Sequence, residues 1–424
     1  MPISLVFEYR HMFFKYLLFR YNLFKYNQEY VLPYFKKMNI MEKKNFINQI
    51  NMVPWKKCLK ALEDKNVLKN PLPIEYEDIN TFSIDDRRKL EKIGEDNINR
   101  YAVLLLAGGQ GTRLGYDGPK GTYKLDIGDN DTFFSLYIKR IILFEDEYNV
   151  VIPVYIMTSI DNYDKTKKYF EDNDYFGKKD SIIIFNQDDV PLFDVKERKI
   201  LIDENKILMA SCGHGNVFKA MRENNIFKDL QNRGIKWLLI TGIDNILMKP
   251  VDFFSLGLII KRDSSSIGKS ICKLTPEEKM GVFCKNNNMI DVMEYSEIDE
   301  MISKARDKKG NLIYNDAHLL WNIYDVDRAR KIANKNVPYH KALKNISMNL
   351  DIGNVYKLES FIFDYFRYFN DMIILRVNRN EEFAPIKNKS GIDSPETAYK
   401  LYASYYNGIE KKWDCDNFYF RWRY

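Results

Sequence analysis

The strongest indication of the fold is at residues 104–121, where a short apolar run leads into a glycine-rich loop. The segment reads LLLAGGQGTRLGYDGPKG and holds six glycines, with Arg113 and Lys120 as its only cations. Glycine reaches positive φ and lets backbone N–H groups approach a ligand closely, because no Cβ stands in the way. A strand that feeds such a loop predicts phosphate binding at the carboxyl edge of an α/β sheet.

The spacing of the glycines excludes two familiar phosphate loops. In the dinucleotide pattern G-x-G-x-x-G the third glycine would fall on Leu114, one position before Gly115. The Walker A pattern requires a lysine after its last glycine, whereas Lys120 here precedes Gly121. The loop is therefore of a different kind.

Composition is that of a globular protein, and its mild positive charge suits a small anionic substrate. The chain has 424 residues, of which 45% are hydrophobic and 29% charged, so it can bury a large core. A net charge of +6 is spread along the chain, which gives little support for nucleic-acid binding. The aromatic and basic N-terminus is interrupted by charges too often to span a membrane, and predicts an amphipathic helix that packs on the protein. Its alternative role is binding at a membrane surface.

The five cysteines are odd in number, widely separated and without a C-x-x-C pair. They indicate reduced thiols in a cytoplasmic protein, with no basis for a zinc site.

Elements along the chain alternate in a way that divides it into three parts. Residues 1–95 have apolar side chains at helical spacing and predict an N-terminal helical region. Residues 96–380 alternate short apolar runs with helical patterns, which predicts a mainly parallel sheet covered by helices. We expect two hairpins added to this sheet, in KERKILIDENKILMA and MGVFCKNNNMIDVMEYSEI, and a late strand at 372–378. Residues 381–424 predict only a short C-terminal segment.

Several motifs together resemble one family, the UDP-N-acetylhexosamine (UDP-sugar) pyrophosphorylases, whose glycine loop ends in P-K-G. The resemblance extends over roughly residues 30–400 and continues in VYIMTS, YFG, FNQDDVP, GHGNVFKA, IDNILMK, MEYSEI, FIFDYF and EFAPIKN. It implies a Rossmann-like nucleotidyltransferase (GT-A-like) fold with a mixed, mainly parallel sheet. It also implies a magnesium-dependent uridylyltransferase that joins UTP to a hexose 1-phosphate. We expect a monomer or weak dimer.

The resemblance assigns the charged groups of the reaction. Arg113 and Lys120 would hold the triphosphate and offset charge on the leaving pyrophosphate, and Lys387 matches the lysine that grips the sugar phosphate. Asp244, at a strand end, matches the position at which the family holds Mg²⁺, and Asp364 resembles its partner. We expect the two acids to converge on one metal ion beside the loop. The alternative for Asp364 is an aspartate on the outer face of a helix.

The resemblance also assigns the nucleotide and sugar contacts. Gln187 corresponds to the residue that reads the uracil edge, since an amide both donates and accepts. The backbone around it would complete the nucleotide site, at Ala107, Gly108, Gly109 and Gly213. Glu294 matches an acceptor for sugar hydroxyls, and Gly281 would let the sugar lie against the backbone. The alternative for Glu294 is an ordinary surface charge, and the alternative for Gly281 is a plain turn glycine.

Two histidines depart from the family pattern. His214 stands where the acetylhexosamine enzymes have asparagine, in a form closer to UDP-glucose pyrophosphorylases, and His318 replaces the second asparagine of an N-x-x-N stretch. We expect both to face the sugar; the alternative for each is a packed core residue. N-Acetylglucosamine 1-phosphate is favoured by the overall resemblance, and glucose or galactose 1-phosphate by the two histidines. Two further alternatives are a catalytically silent sugar-nucleotide-binding protein and an RNA-binding protein.

Overall fold

The computed structural model describes residues 3–63, 70–127, 131–203, 205–345 and 354–410, with side-chain environments within residues 11–405. The helices are α1 Ile3–Lys25, α2 Leu32–Lys37, α3 Ile40–Met52, α4 Trp55–Glu63, α5 Ile84–Glu95, α6 Phe133–Tyr148, α7 Ile160–Asp172, α8 Val217–Glu223, α9 Ile226–Asn232, α10 Phe253–Lys261, α11 Glu300–Lys304, α12 Val326–Ile332, α13 Arg379–Glu382 and α14 Pro395–Glu410. The strands are β1 Leu72–Pro73, β2 Glu77–Asp78, β3 Tyr101–Leu106, β4 Val154–Thr158, β5 Ile182–Asn186, β6 Asp189–Pro191, β7 Phe193–Asp194, β8 Ile202–Asp203, β9 Lys206–Ile207, β10 Met209–Ser211, β11 Trp237–Gly242, β12 Ser266–Cys272, β13 Val282–Asn286, β14 Met289–Met293, β15 Asp316–Asp325, β16 His340–Asn345, β17 Asn354–Glu359 and β18 Ile373–Arg376.

The chain forms two compact units. The larger unit comprises residues 67–187, 214–336 and 362–424, and the smaller unit comprises residues 1–66, 188–213 and 337–361. Each unit is thus assembled from separated segments, whereas the sequence predicted three consecutive parts. Hydrophobic patterning identifies elements locally, and it does not report which distant segments share a core.

A mixed, mainly parallel sheet forms the centre of the larger unit, as the alternating pattern predicted. Its strand order is β2-β18-β12-β15-β11-β3-β4-β5. Strand β15 is antiparallel to both of its neighbours on this path, and the other pairs are parallel. Strands β3, β4 and β11 are buried along their whole lengths, which accounts for their continuous apolar sequences.

The connection order reverses beside β3. Strands β4 and β5 follow on one side of β3, and β11 lies on its other side. Ligands of open α/β sheets bind outside the carboxyl ends of the strands at such a switch point. The glycine-rich loop leaves β3 here, and Asp244 follows β11 at the same edge.

The two predicted hairpins belong to different sheets. Strands β13 and β14 pair with each other, and β13 joins the main sheet through β15 and also pairs with β1. Strands β8 and β9 form a separate two-stranded sheet, so the prediction that this hairpin extends the main sheet is wrong. Residues 188–213 belong to the smaller unit, where apolar side chains of this region pack under helices instead. The late strand is confirmed as β18.

The smaller unit combines the N-terminal helices with short strands. Phe19 of α1 packs on Phe35 and Phe46, and this apolar cluster continues to Phe193 and Leu358. A helix with one face packed on the protein is therefore confirmed. Its amphipathic character is weak, because its exposed side also carries large apolar side chains, such as Phe13, Phe14 and Phe24. No helix of the described segments is long and apolar enough to cross a bilayer. The C-terminal segment ends in helix α14, of 16 residues, and the aromatic tail beyond it lies outside the described residues.

Candidate active site

The glycine-rich loop after β3 is closed by its own backbone. The N–H of Gly111 donates to the carbonyl of Gly118 at 2.9 Å, and the N–H of Lys120 donates to the carbonyl of Gly109 at 3.0 Å. Among the glycines of this loop, only Gly115 has a positive φ, at 70°. Cross-loop hydrogen bonds therefore shape most of the loop, and left-handed backbone is needed at one position.

Close packing explains three other glycines of the loop. An added Cβ would lie 2.7 Å from the Tyr116 ring at Gly111, 2.9 Å from it at Gly118, and 2.2 Å from the Phe134 ring at Gly121. These distances are shorter than a carbon–carbon contact allows. Two aromatic rings thus fill the space that the missing side chains leave, and they hold the loop rigid.

Two of the predicted catalytic cations meet Asp244 at the edge of the sheet. The ammonium of Lys120 lies 3.4 Å from Oδ2 of Asp244, and the Lys120 side chain is only 13% exposed. Burial lowers the pKa of Lys120, Arg113 and Lys387 add to that effect by repulsion, and Asp244 opposes it. Burial acts to raise the pKa of Asp244, but Lys120 and Lys387 outweigh it and hold that pKa below its usual range. The carboxylate is consequently ionised within a cationic cluster.

Lys387 reaches this cluster because its segment is bonded to the strand end that carries Asp244. The N–H of Ile386 donates to the carbonyl of Asp244 at 2.8 Å. The Lys387 ammonium lies 3.4 Å from Oδ2 of Asp393. Electrostatic interactions thus bring together Arg113, Lys120, Lys387 and Asp244, which were predicted from three distant motifs.

The predicted base-reading residue lies against the start of the loop. Gln187 is 5% exposed, and an added Cβ on Gly108 would lie 2.3 Å from its Nε2. Its Oε1 is buried and has no hydrogen-bond partner among the described residues. Ala107 is fixed beside it, because its N–H donates to the carbonyl of Met157 at 2.8 Å. A buried amide oxygen without a partner is costly unless a ligand donates to it.

Three of the predicted sugar residues are also neighbours. The N–H of His318 donates to the carbonyl of Gly281 at 2.9 Å. An added Cβ on Gly281 would lie 3.1 Å from Oε2 of Glu294. Nε2 of His318 is hydrogen-bonded to Oδ1 of Asn322 at 3.1 Å, and its ring packs edge-on against Phe283 at 5.0 Å. Burial lowers the pKa of His318 to about 3, with repulsion from His214 as a smaller cause, so the imidazole is neutral.

His214 lies close enough to His318 to influence its charge. Its Nδ1 accepts a hydrogen bond from the N–H of Ile362 at 3.1 Å, so a neutral ring carries its proton on Nε2. The rings of His214 and His318 both contact Phe363 edge-on, with centroids 6.5 and 6.3 Å away. The two histidines are therefore close together, and their contact with the sugar stays a prediction.

Asp364 lies in the 3₁₀ helix Ile362–Tyr368, which packs on β14. It is 1% exposed, so the alternative of an outward-facing aspartate is wrong. Its charge acts on Asp291, whose pKa is raised by burial and further by Asp364, while Arg367 opposes the shift. The charges that act on Asp244 are instead those of Lys120 and Lys387. A magnesium ion shared by the two acids stays a prediction, and the described residues contain no cluster of three or more metal-ligating side chains.

Gly213 belongs to the smaller unit. Its φ is +86°, and an added Cβ would lie 2.4 Å from the carbonyl oxygen of Ser360. A side chain at this position would be excluded by the backbone of the unit itself. Packing within the smaller unit thus explains why this position is a glycine, independently of nucleotide binding. Its role in binding the nucleotide stays a prediction.

Sequence reasoning missed residues that hold the predicted ones in place. Nδ2 of Asn162, which is fully buried, donates to the carbonyls of Gly108 and Gly109 at 3.0 Å each. Asn322 bonds the ring of His318. The N–H of Lys389 donates to the carbonyl of Arg113 at 3.0 Å. Only Asn322 had a local signal, a polar residue within a largely apolar strand, which is weak without its distant partner. Asn162 lies in a polar helix and Lys389 outside any helix or strand, so nothing local marks them.

Comparison with known proteins gives a consistent result. The sequence pattern of the family described as UTP–glucose-1-phosphate uridylyltransferase matches residues 44–401. A Dictyostelium discoideum protein described as a probable UDP-N-acetylglucosamine pyrophosphorylase is 33% identical over 92% of this chain and 89% of its own length. The Saccharomyces cerevisiae UDP-N-acetylglucosamine pyrophosphorylase is 34% identical over 74% of this chain and 70% of its own length.

Solved structures agree with these relatives. The crystal structure of the UDP-N-acetylglucosamine pyrophosphorylase from Trypanosoma brucei, in complex with an inhibitor, superposes with a TM-score of 0.79. It is 27% identical, over 92% of this chain and 84% of that one. A UDP-glucose pyrophosphorylase from Leishmania major superposes with a TM-score of 0.67 at 15% identity, over 89% of this chain and 78% of that one, which shows a shared fold.

Proposed function

The chain belongs to the UTP–glucose-1-phosphate uridylyltransferase family, and we propose that it transfers a uridylyl group from UTP to N-acetylglucosamine 1-phosphate. It is a nucleotidyltransferase that makes a UDP-sugar. The preference for the acetylated sugar is supported by relatives named as UDP-N-acetylglucosamine pyrophosphorylases, which match over most of the chain. We expect the enzyme to act in the cytoplasm as a monomer or weak dimer.

The observation that carries this proposal is the cationic cluster of Arg113, Lys120 and Lys387 around Asp244. In the reaction, an oxygen of the sugar phosphate attacks the α-phosphorus of UTP, a new P–O bond forms, and the bond to the β-phosphate breaks as pyrophosphate leaves. Catalysis of such a transfer depends mainly on positioning and charge neutralisation. Fixed cations at the end of a phosphate loop supply both.

The position of each cation in the site indicates which phosphate group it would bind. Lys120 and Arg113 belong to the loop and would bind the triphosphate and its leaving pyrophosphate, and Lys387 would hold the attacking sugar phosphate. Burial lowers the pKa of Lys120, and a phosphate ligand beside this lysine would stabilise its ammonium form. In the unliganded protein, Asp244 supplies the negative charge that opposes these cations. Binding of the triphosphate would add further negative charge beside them.

Asp244 fits a magnesium site, because its carboxylate is ionised and hard oxygen ligands suit this ion. Asp244 and Asp364 would hold the ion, and the chemistry it would supply there is positive charge beside the reacting phosphates. On this proposal Lys120 exchanges its contact with Asp244 for one with the triphosphate. Chelation of Mg²⁺ should abolish turnover, and Asp244→Asn should raise the Mg²⁺ concentration needed for half-maximal rate.

Gln187 would read uracil through its amide, with the loop backbone at Ala107 and Gly108 on the other side. Its buried Oε1 would accept from the uracil N3–H, and its Nε2 would donate to a uracil carbonyl. Cytosine has no proton on N3, so it would leave this acceptor without a donor. The enzyme should therefore discriminate strongly against CTP.

A second candidate substrate is glucose 1-phosphate or galactose 1-phosphate, and the observation that favours it is the pair His214 and His318. Both rings are larger than asparagine, and both are neighbours of Gly281 or Phe363 in the proposed sugar site. A bulkier pair leaves less room for an acetamido group.

The deciding experiment measures pyrophosphate release from UTP with each of the three sugar 1-phosphates. Under our proposal kcat/KM is highest for N-acetylglucosamine 1-phosphate. Activity restricted to glucose 1-phosphate would overturn the acetylated-sugar assignment, and the absence of turnover with every sugar phosphate would favour a catalytically silent binding protein.

A further inference from the structure

A cluster of four charges, of which Lys269 and Glu382 are buried and Lys249 and Asp252 partly buried, lies in the larger unit next to the segment that carries Lys387. The Glu382 carboxylate contacts the ammonium of Lys249 at 2.8 Å through Oε1 and that of Lys269 at 3.0 Å through Oε2. Lys269 also contacts Oδ2 of Asp252 at 2.5 Å and lies 4.1 Å from the centroid of the Trp321 ring. Lys269 is fully buried, and Glu382 is 4% exposed.

Such a cluster needs an explanation other than stability. Moving paired charges out of water costs several kcal/mol per ion, and apolar replacements of buried ion pairs are often neutral or stabilising. What a buried network of this kind does provide is a fixed geometry. Both acidic members have well-defined partners, and Lys269 and Lys249 hold the pKa of Asp252 at about 2 despite its burial.

The backbone next to Glu382 is bonded to the strand end that carries Asp244. Nδ2 of Asn245 donates to the carbonyl of Glu382 at 2.6 Å, and Oδ1 of Asn245 accepts from the N–H of Ala384 at 2.8 Å. The N–H of Ile246 donates to the carbonyl of Ala384 at 3.1 Å. Asn245 thus uses both ends of its amide to bind one short segment.

Two further contacts make this connection rigid. Pro385 forms a β-bridge with Asn245, and the hydroxyl of Tyr137 donates to the carbonyl of Asn245 at 2.6 Å. Lys387 is two residues beyond that bridge, and it acts electrostatically on Asp244. Its backbone position therefore depends on the contacts of residues 382–386, together with its own N–H, which donates to the carbonyl of Asp393 at 2.6 Å.

We propose that Glu382 and Asn245 are positioning residues, which fix Lys387 beside Asp244 so that the sugar phosphate is held in line with the α-phosphate of UTP. Glu382 anchors the segment through Lys249 and Lys269, and Asn245 joins it to the strand end. The inference rests on the proposed role of Lys387. Neither residue is assigned a substrate contact here, so we expect their effect to fall on the geometry of attack.

The test uses the full-length enzyme with UTP, Mg²⁺ and N-acetylglucosamine 1-phosphate. Glu382→Gln keeps shape and removes the charge, and Asn245→Asp keeps the acceptor for Ala384 but loses the donor to Glu382. We expect each variant to lower kcat/KM for the sugar phosphate by about tenfold or more and to leave the Kd for UTP within about twofold. The matched control is Glu145→Gln, because Glu145 also pairs with a buried lysine, Lys178, and should leave both constants unchanged.

Two outcomes separate the possible failures. Lys387→Met serves as the reference: if it leaves kcat/KM for the sugar phosphate unchanged, the proposed role of Lys387 fails. If Lys387→Met lowers that constant while Glu382→Gln and Asn245→Asp do not, the positioning inference alone is overturned. An equal loss of UTP affinity in both variants would also overturn it. Should Glu382→Gln fold poorly, the double variant Lys249→Met/Glu382→Gln removes one charge of each sign and carries the same expectation.

Discussion

The contact between Gly108 and Gln187 offers a direct test of the proposed uracil site. In Gly108→Ala the new Cβ would lie 2.3 Å from Nε2 of Gln187, about 1.1 Å inside ordinary contact. Gln187 is 5% exposed, so its amide has little free space and must turn away from the loop. Overpacking of this kind costs roughly 1–3 kcal/mol of stability.

The larger effect should be on UTP binding. A displaced amide leaves the uracil edge without its donor and acceptor, which costs about 1–3 kcal/mol. That penalty corresponds to a rise in the UTP Kd of roughly fivefold to 150-fold. The KM for the sugar phosphate should stay unchanged, because Gln187 does not belong to the sugar side.

The assay combines isothermal titration with UTP, initial rates at varied UTP, and thermal unfolding. Gly109→Ala is the control for folding, because a Cβ at that position has no atom within 4 Å. A double-mutant cycle with Gln187→Ala isolates the mechanism. If Gly108→Ala acts through Gln187, the double variant binds UTP no more weakly than Gln187→Ala alone. Additive losses, or unchanged UTP affinity in Gly108→Ala, would refute the reasoning.

Three further predictions follow from single sites. Asp244→Asn should lower kcat by about 100-fold or more at fixed Mg²⁺, since such a charge acts on the transition state, and it should leave circular dichroism unchanged; near-normal turnover would contradict the metal assignment. Burial lowers the pKa of His318 from 6.5 to about 3, so between these pH values the unfolded chain binds a proton at this residue and the folded chain does not. The stability of the parent protein should therefore fall as the pH drops from about 6.5 to 3. His318→Asn should lose less stability over this range, as measured by urea unfolding. Gly213→Ala should destabilise the protein by about 1–3 kcal/mol, because φ is +86° and the carbonyl oxygen of Ser360 lies 2.4 Å from the new Cβ; an unchanged melting temperature would show that the backbone relaxes.

Much of the larger unit could be read from local patterns. Continuous apolar runs predicted β3, β4 and β11 because both faces of these strands are covered. The glycine loop predicted a phosphate site, and motif resemblance supplied the charged residues. The prediction that the β8–β9 hairpin extends the main sheet was wrong for a physical reason. Polar–apolar alternation indicates a half-buried strand, but it does not indicate which sheet the strand joins.

By itself, the sequence determined the loop, the strand alternation and the charged groups, since these depend on glycine spacing, side-chain period and residue type. Tertiary structure alone decided that Lys120 and Asp244 meet across 124 residues, and that Asn245 and Glu382 hold the segment of Lys387. Those contacts depend on the order of strands at the switch point, which follows from the packing of the whole sheet. Partners distant in the chain leave no local mark in its sequence, because each polar residue alone resembles an ordinary surface group.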